Sequence, residues 1–242
     1  VLPHIAGTLF AMVAIAAVMV VVDHHLLKLD YANATPFALF GAALSLFLGF
    51  RNNAAYDRWW EARKLWGGLI VDIRAFAREV QIFVPDASLH PRLLRLALAF
   101  VHLHRAQLRK LVDDPTALAA AQAAGLGPQA AANDTLNQIA ALIATAHRAG
   151  TIDGFGARAL AARLASFELQ QASNERIAST PLPYVYSLLV FRTSYLYCLL
   201  LPLALIGPAG WLTPLFVGIV SYVFFGLAEV TEELAHPFGD TL

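Results

Sequence analysis

Four apolar stretches stand out along the chain, separated by polar segments of very different lengths. They cover residues 5–22, 37–50, 184–206 and 211–228. A helix needs about 20 predominantly apolar residues to cross the hydrocarbon core of a bilayer. The second stretch is shorter than that, but residues 26–36 and 52–56 can extend it. We therefore predict four membrane-spanning helices, the last two forming a hairpin around a break at residues 207–210.

The long segment between the second and third stretches is predicted to be helical as well. Apolar residues recur at helical spacing around Leu93, Leu96 and Phe100, and no strand-like alternation competes with them. Pro91 and Pro115 stand where helices are expected to begin. The fold class expected from these patterns is all-α.

Polar and glycine-containing breaks divide this segment into several helices. They lie at residues 86–91, 125–128 and 153–154. The last of them separates helices predicted at 133–149 and 155–178. The alanine-rich tract 117–132 has low complexity, and we expect it to be a mobile helix and linker.

The composition agrees with lipid as part of the solvent. Of the 242 residues, 58% are hydrophobic and only 14% charged, and the mean hydropathy is +0.59, whereas soluble domains carry roughly 25% charged residues. The net charge of zero and the neutral pI argue against a nucleic-acid partner. The single cysteine, Cys198, cannot form an intrachain disulfide or a cysteine metal site. We interpret it as a small buried hydrophobic residue.

Basic residues indicate the orientation in the membrane. All of the 17 lysines and arginines except Lys28 and Arg192 lie between Arg51 and Arg176. Because such residues accumulate on the cytoplasmic side, this middle segment and, with four spans, both termini are expected to be cytoplasmic. The first apolar stretch has no basic segment before it, so a cleavable signal peptide is not expected.

A charged and aromatic run, RNNAAYDRWWEARKLWG, follows the second stretch from Arg51 to Gly67. One interpretation is an interfacial belt, with Trp59, Trp60 and Trp66 at headgroup level and Arg58, Glu61 and Lys64 forming ion pairs along the helix. The run also resembles the signature of the bestrophin family of ion channels. Two further segments match that family in the same order, ERIASTPLPYVYSLLVFRTSYLYCLLLP at 175–202 and EELAHPFGD at 232–240.

The resemblance implies a homopentamer that conducts small monovalent ions passively through one central pore. It implies two membrane helices, the pore neck and a cytosolic extension in residues 1–80, a cytosolic helical region in 81–180, and two more membrane helices with a cytosolic tail in 181–242. The location implied is the cell membrane, which is the inner membrane in a bacterium. A ring is also reasonable on physical grounds, because four short apolar spans offer no polar lumen within one subunit, and symmetric closure is common.

Ala42, Leu46 and Phe50 lie on one helical face of the second span, because they are spaced four residues apart. In the bestrophins, the aligned residues form the hydrophobic neck of the pore, which can exclude ions by dewetting. The alternative is that this face packs on a neighbouring helix. Small residues on the other faces, Gly41, Ala43, Ser45 and Gly49, favour helix packing there instead. Ala42 is smaller than the bulky residue expected at its position.

Leu182 lies between two prolines just before the third span. The resemblance implies that this residue forms a second, apolar constriction at the cytoplasmic mouth of the pore, which would select by size. The alternative is a helix start only, with Ser179 or Thr180 as the cap before the proline.

The permeant ion does not follow from the neck, which carries no charge. Animal members of the family select anions, and the family label is chloride channel. Asp57 lies seven residues after Phe50, on nearly the same face, and a ring of five aspartates would favour Na⁺ or K⁺. Arg51 would oppose it. We expect monovalent cations for this chain.

Arg192 is the one ionised residue deep in an apolar stretch. We expect an ion pair with Glu229, Glu232 or Glu233 across the hairpin, the alternative being an electrostatic role near the pathway. Together with Asp240, these glutamates are too sparse for a tight calcium site. The histidine pairs 24–25 and 102, 104 lack metal-ligand spacing and are expected to be surface or core residues. No metal or other cofactor is expected.

Two rival functions remain. A membrane-embedded enzyme would need several convergent polar side chains within the spans, and almost none are present. A non-conducting scaffold that docks a partner through its cytosolic helices fits the helical middle segment. Ion flux into liposomes distinguishes that scaffold from a channel.

Overall fold

The computed structural model describes residues 2–26 and 33–239, and within these ranges the chain is helical without strands. The helices are α1 (Leu2–His25), α2 (Ala34–Phe83), α3 (His90–Leu108), α4 (Pro115–Ala123), α5 (Ala132–Arg148), α6 (Gly154–Ser179), α7 (Tyr184–Ala209) and α8 (Thr213–Ala235). They form two compact units. The first contains the residues up to Trp59 together with Pro181–Pro237, and the second is built from Trp60–Thr180.

The first unit consists of α1, the beginning of α2, α7 and α8. Helix α8 packs against both α1 and α7, and the buried core between the helices is apolar. It includes Leu48, Cys198 and Val217, so the interpretation of Cys198 as a buried hydrophobic residue is confirmed. Three segments are long and apolar enough to cross a bilayer: Pro3–His25, Ala34–Phe83 and Ser187–Ala235. The third comprises most of α7 and all of α8. The chain is therefore a helical membrane protein.

The turn between α7 and α8 lies later than the sequence predicts. We expected the break at residues 207–210, but α7 continues through Gly207 and Pro208 as far as Ala209. Gly210 then adopts a φ of 51°, which a residue without a Cβ accommodates easily, and begins a short 3-10 helix, Gly210–Leu212. A proline near the end of a helix removes only one backbone donor, so Pro208 does not end α7 by itself.

The second unit consists of the rest of α2 together with α3, α4, α5 and α6. Its core contains three phenylalanine rings: Phe167 lies 5.6 Å from Phe76 and 5.6 Å from Phe100, measured between ring centroids. The expected helix starts are confirmed, since Pro91 and Pro115 lie in the first turns of α3 and α4. The helices predicted at 133–149 and 155–178 correspond to α5 and α6.

The alanine-rich tract is better packed than expected. Its first part forms α4, in which Ala117 and Ala121 are buried and which packs on α3. Ala124 and Ala132 also belong to the core of the second unit. The small side chain of alanine allows close approach to α3, so this low-complexity tract contributes to the packing of the second unit.

Candidate functional site

One long helix carries most of the predicted functional residues. Helix α2 has 50 residues, which corresponds to about 75 Å at 1.5 Å per residue. One face of its first half is buried in the first unit, through Leu44, Leu48, Arg51 and Ala55. The opposite face carries Ala42, Leu46, Phe50 and Asp57, all of which are exposed.

Leu46 and Phe50 make this exposed face apolar, and none of the described residues of the subunit covers it. Leu46 is 59% exposed and Phe50 is 57% exposed. Packing of this face on a helix therefore requires a helix from outside the described part of the chain. Its occupants in the membrane are lipid, another subunit or an aqueous lumen.

The small residues of α2 make a close helix contact at one position. A Cβ placed on Gly41 would collide with the phenol oxygen of Tyr197 in α7, and Ser45 donates a hydrogen bond to the Gly41 carbonyl at 2.8 Å. Gly49 has no neighbouring atom within 4 Å of an added Cβ. Close packing through small residues is thus realised at Gly41 and not at Gly49.

Arg51 points away from the exposed face. It is only 4% exposed, and its guanidinium donates a hydrogen bond to Glu232 of α8 at 2.8 Å. Its Nε has no hydrogen-bond acceptor among the described residues. Nearby, Asn52 accepts a hydrogen bond from Thr231 at 3.3 Å. The Arg-Asn motif therefore attaches α2 to the end of α8.

The ion pair expected for Arg192 is wrong. Arg192 is exposed and contacts no acidic side chain in the described part of the chain. Glu232 pairs with Arg51 instead, and Glu229 lies 3.1 Å from the imidazole of His4 in α1. Among the described residues, Glu232 is thus paired with α2 and with His236 just after α8, and Glu229 with α1, rather than either with Arg192 of α7.

The charged and aromatic run makes contacts distant in sequence. Arg58 donates a hydrogen bond to the carbonyl of Ala235 at 2.8 Å. Glu61 pairs with Arg176 of α6 at 2.7 Å, and Trp66 stacks on His104 with ring centroids 6.2 Å apart. The interpretation of the run as an interfacial belt with local ion pairs therefore misses its main contacts.

Leu182 lies in the short segment between α6 and α7. It is partly buried. The N-cap of α7 is Pro183, which provides no side-chain hydrogen bond, and Ser179 bonds back to the carbonyl of Glu175. The alternative of a helix start capped by Ser179 or Thr180 is therefore wrong. Leu182 and Pro181 instead form part of the wall of a cavity of about 560 Å³ in the first unit.

The described residues contain no group of three or more histidine, cysteine or acidic side chains placed to hold a metal ion. Asp240, part of the acidic cluster considered above, lies outside the described residues. His24 lies 5.1 Å from Trp211, ring to ring, and His104 is a core residue. The interpretation of these histidines as surface or core residues agrees with their surroundings.

Comparison with protein families and with known proteins gives one consistent result. The family model described as Bacterial/Fungal Bestrophin protein matches residues 1–242. A voltage-dependent anion channel-forming protein of Mesorhizobium japonicum is 46% identical over 99% of this chain and 79% of its own length. The voltage-dependent anion channel-forming protein YneE of Escherichia coli is 38% identical over 84% of this chain and 68% of its own.

Solved structures resemble the whole described architecture. The crystal structure of a bacterial bestrophin homologue from Klebsiella pneumoniae, carrying one mutation, superimposes with a TM-score of 0.87. It is 29% identical in sequence, and the match covers 98% of this chain and 91% of that one.

Proposed function

This chain belongs to the bestrophin family, and on that premise we propose that it forms a passive channel for small monovalent ions in the cell membrane, with five copies around one central pore. Family membership and the relatives named as channel-forming proteins support an ion channel rather than an enzyme. The observation that carries the finer proposal is the uncovered apolar face of α2.

Ala42, Leu46 and Phe50 are proposed to form the neck of the pore. Leu46 and Phe50 are large, apolar and more than half exposed in the subunit, while the opposite face of α2 is buried against α7 and α8. Repeated around a five-fold axis, this face would enclose a narrow apolar lumen. Such a lumen gates by dewetting, because an ion that enters it loses hydration without compensation from side chains.

Liposome flux and single-channel conductance test the neck. Phe50→Ser is expected to raise the conductance severalfold, because a hydroxyl lowers the cost of wetting the constriction. Phe10→Ser is the matched control, since Phe10 is a 76% exposed phenylalanine on α1, and it should conduct like the unmodified protein. If Phe50→Ser conducts like the unmodified protein, this face of α2 does not form the neck of the pore. Absence of flux from a correctly assembled complex under every ionic condition would favour the non-conducting scaffold.

We assign cation selectivity to Asp57. The carboxylate is exposed on the same side of α2 as Phe50, and five copies would form an acidic ring. Arg51 is less able to oppose it than the sequence suggested, because its charge is buried and paired with Glu232. The relatives are named as anion channels, so the reversal potential in a NaCl gradient is decisive. Asp57→Asn is expected to reduce the preference for Na⁺, and an anion preference of the unmodified protein would refute this role.

Leu182 is proposed as a cytosolic aperture that selects by size. A Leu182→Ala variant should admit larger organic ions while leaving Na⁺ and K⁺ currents little changed. Unaltered permeability to large ions would contradict the assignment.

The proposed topology has four spans with both termini in the cytoplasm, and the inner membrane is the location in a bacterium. It is supported by the concentration of basic residues between α2 and α7. Mass measurement of the detergent-solubilised complex tests the assembly directly, with five times the subunit mass of 26.2 kDa expected.

A further inference from the structure

The cavity that Leu182 borders has a composition unlike that of an ordinary packing gap. It measures about 560 Å³, which lies within the roughly 300–1,000 Å³ range of small-molecule sites. Its wall comes from the start of α1, from Arg51 of α2, from the start of α7 and from the last turns of α8. All these residues belong to the first unit.

Most of the wall is apolar and aromatic. Three rings follow one another along it: Tyr195 lies 4.6 Å from Phe191 and 4.5 Å from Phe225, measured between centroids. Leu188 and Ile5 complete this side of the cavity. This part of the cavity suits hydrocarbon and offers a polar ligand little to bind.

The remaining part of the wall carries charges of both signs. Arg51 is more than nine-tenths buried, and its Nε has no acceptor among the described residues although its terminal nitrogen binds Glu232. Glu229 and Glu232 lie one turn apart on α8 and also border the cavity, as do His4, 3.1 Å from Glu229, and His236, 3.6 Å from Glu232. The buried N–H requires an oxygen acceptor to be satisfied. The guanidinium of Arg51 offsets only one of the two carboxylates, so the remaining negative charge favours a cation.

The charged part lies where lipid headgroups are found. It is formed by the first turns of α1 and the last turns of α8, at one end of the apolar helices. Side chains at the ends of transmembrane helices lie near the polar interface of the bilayer. The apolar part of the cavity is formed mainly by α7, through Leu188, Phe191 and Tyr195, and by Phe225 of α8.

We propose that this cavity binds an aminophospholipid, with its phosphodiester oxygen on Arg51, its ammonium on Glu229 and Glu232, and part of an acyl chain along the three rings. A purely anionic headgroup would face two carboxylates without a cation of its own. A purely cationic amphiphile would leave the buried N–H of Arg51 unsatisfied. The proposal does not depend on conduction, because binding is measured without ion flux.

Native mass spectrometry of the purified complex tests it, with phosphatidylethanolamine, phosphatidylglycerol and water-soluble glycerophosphoethanolamine added separately. Phosphatidylethanolamine should be retained in preference to the other two. Glu229→Gln should weaken its retention by about tenfold, since a hydrogen bond between charged groups is lost. Glu233→Gln is the matched control, because Glu233 is an exposed glutamate of the same helix that does not border the cavity, and it should bind like the unmodified protein.

A second variant tests the cavity without changing charge. Ser187 is a partly buried residue of its wall, and Ser187→Phe should fill the space and abolish selective retention. Equal retention of phosphatidylglycerol would overturn the proposal, as would equal losses in Glu229→Gln and Glu233→Gln. Equal binding of glycerophosphoethanolamine would overturn the assignment to a lipid, because the apolar wall would then contribute nothing.

Discussion

His104 provides a test of the second unit that can be worked out from its surroundings. The side chain is 0% exposed. Its ring is parallel to that of Phe100 within 1°, at 5.9 Å between centroids, and also stacks on Trp66 at 6.2 Å. Neither ring nitrogen has a hydrogen-bond partner among the described residues. Protonation would therefore place a charge in an apolar environment.

Burial lowers the pKa of His104 from 6.5 to about 4, and the negative charge of Glu175 opposes this only weakly. The folded state thus favours the neutral ring. Below about pH 6.5 the unfolded chain gains a proton that the folded chain does not, so the free energy of unfolding falls as the pH decreases from 6.5 to about 4. At 1.36 kcal/mol per pH unit, the full loss is roughly 3 kcal/mol.

The assay is denaturant unfolding of the detergent-solubilised protein at several pH values between 4 and 7, followed by tryptophan fluorescence, to which Trp66 contributes beside His104. His104→Leu should lose most of this pH dependence, because no group remains there to titrate. His102→Leu should have a smaller effect in the same direction, since burial also lowers the pKa of His102 but its side chain is more exposed. If the free energy of unfolding depends on pH equally in His104→Leu and in the unmodified protein, the reasoning is refuted.

Three further substitutions test contacts that the structure defines. Gly41→Ala should cost about 1–3 kcal/mol by overpacking against the phenol oxygen and the adjoining ring carbon of Tyr197. In a Tyr197→Leu background, which lacks both atoms, Gly41→Ala should lower the melting temperature much less, and an equal loss in both backgrounds would show that the strain does not come from Tyr197. Glu232→Gln should cost at least about 2 kcal/mol, because Arg51 remains buried without its counterion; an unchanged melting temperature would show that this pair is dispensable. Asp114→Ala should cost about 1 kcal/mol, because Asp114 caps α4 by accepting two backbone N–H groups; circular dichroism and thermal melting would detect it, and a stability equal to that of the unmodified protein would refute the cap.

Much of the fold could be predicted because its signals are local. Apolar runs predicted the membrane helices, and prolines at residues 91 and 115 predicted the starts of α3 and α4. The length of α2 could not be predicted this way, since the polar run after Phe50 resembles a helix end at the interface. Its continuation depends on contacts such as Glu61 with Arg176 and Trp66 with His104. These partners are far away in sequence, and single-sequence periodicity does not reveal them.

The candidate site shows the same division between local and distant information. Spacing alone placed Leu46 and Phe50 on one face, and the structure exposes both. The predicted ion pair between Arg192 and an α8 glutamate was wrong, because it was inferred from the adjacency of α7 and α8 in the sequence. Arg51 is the actual partner of Glu232. The position of Arg51 directly after an apolar stretch was the only sequence feature that set this residue apart. That feature does not indicate which helix the guanidinium contacts.

The unbroken course of α2 has a consequence for how this chain and its relatives can change during evolution. Each residue added to or removed from an α-helix turns everything beyond it by about 100°. A single insertion between Phe50 and Arg51 would therefore turn the exposed Leu46 and Phe50 relative to Arg51, which is buried and binds Glu232. Changes in length should be selected against throughout this helix and tolerated in the connections around residues 109–114 and 124–131.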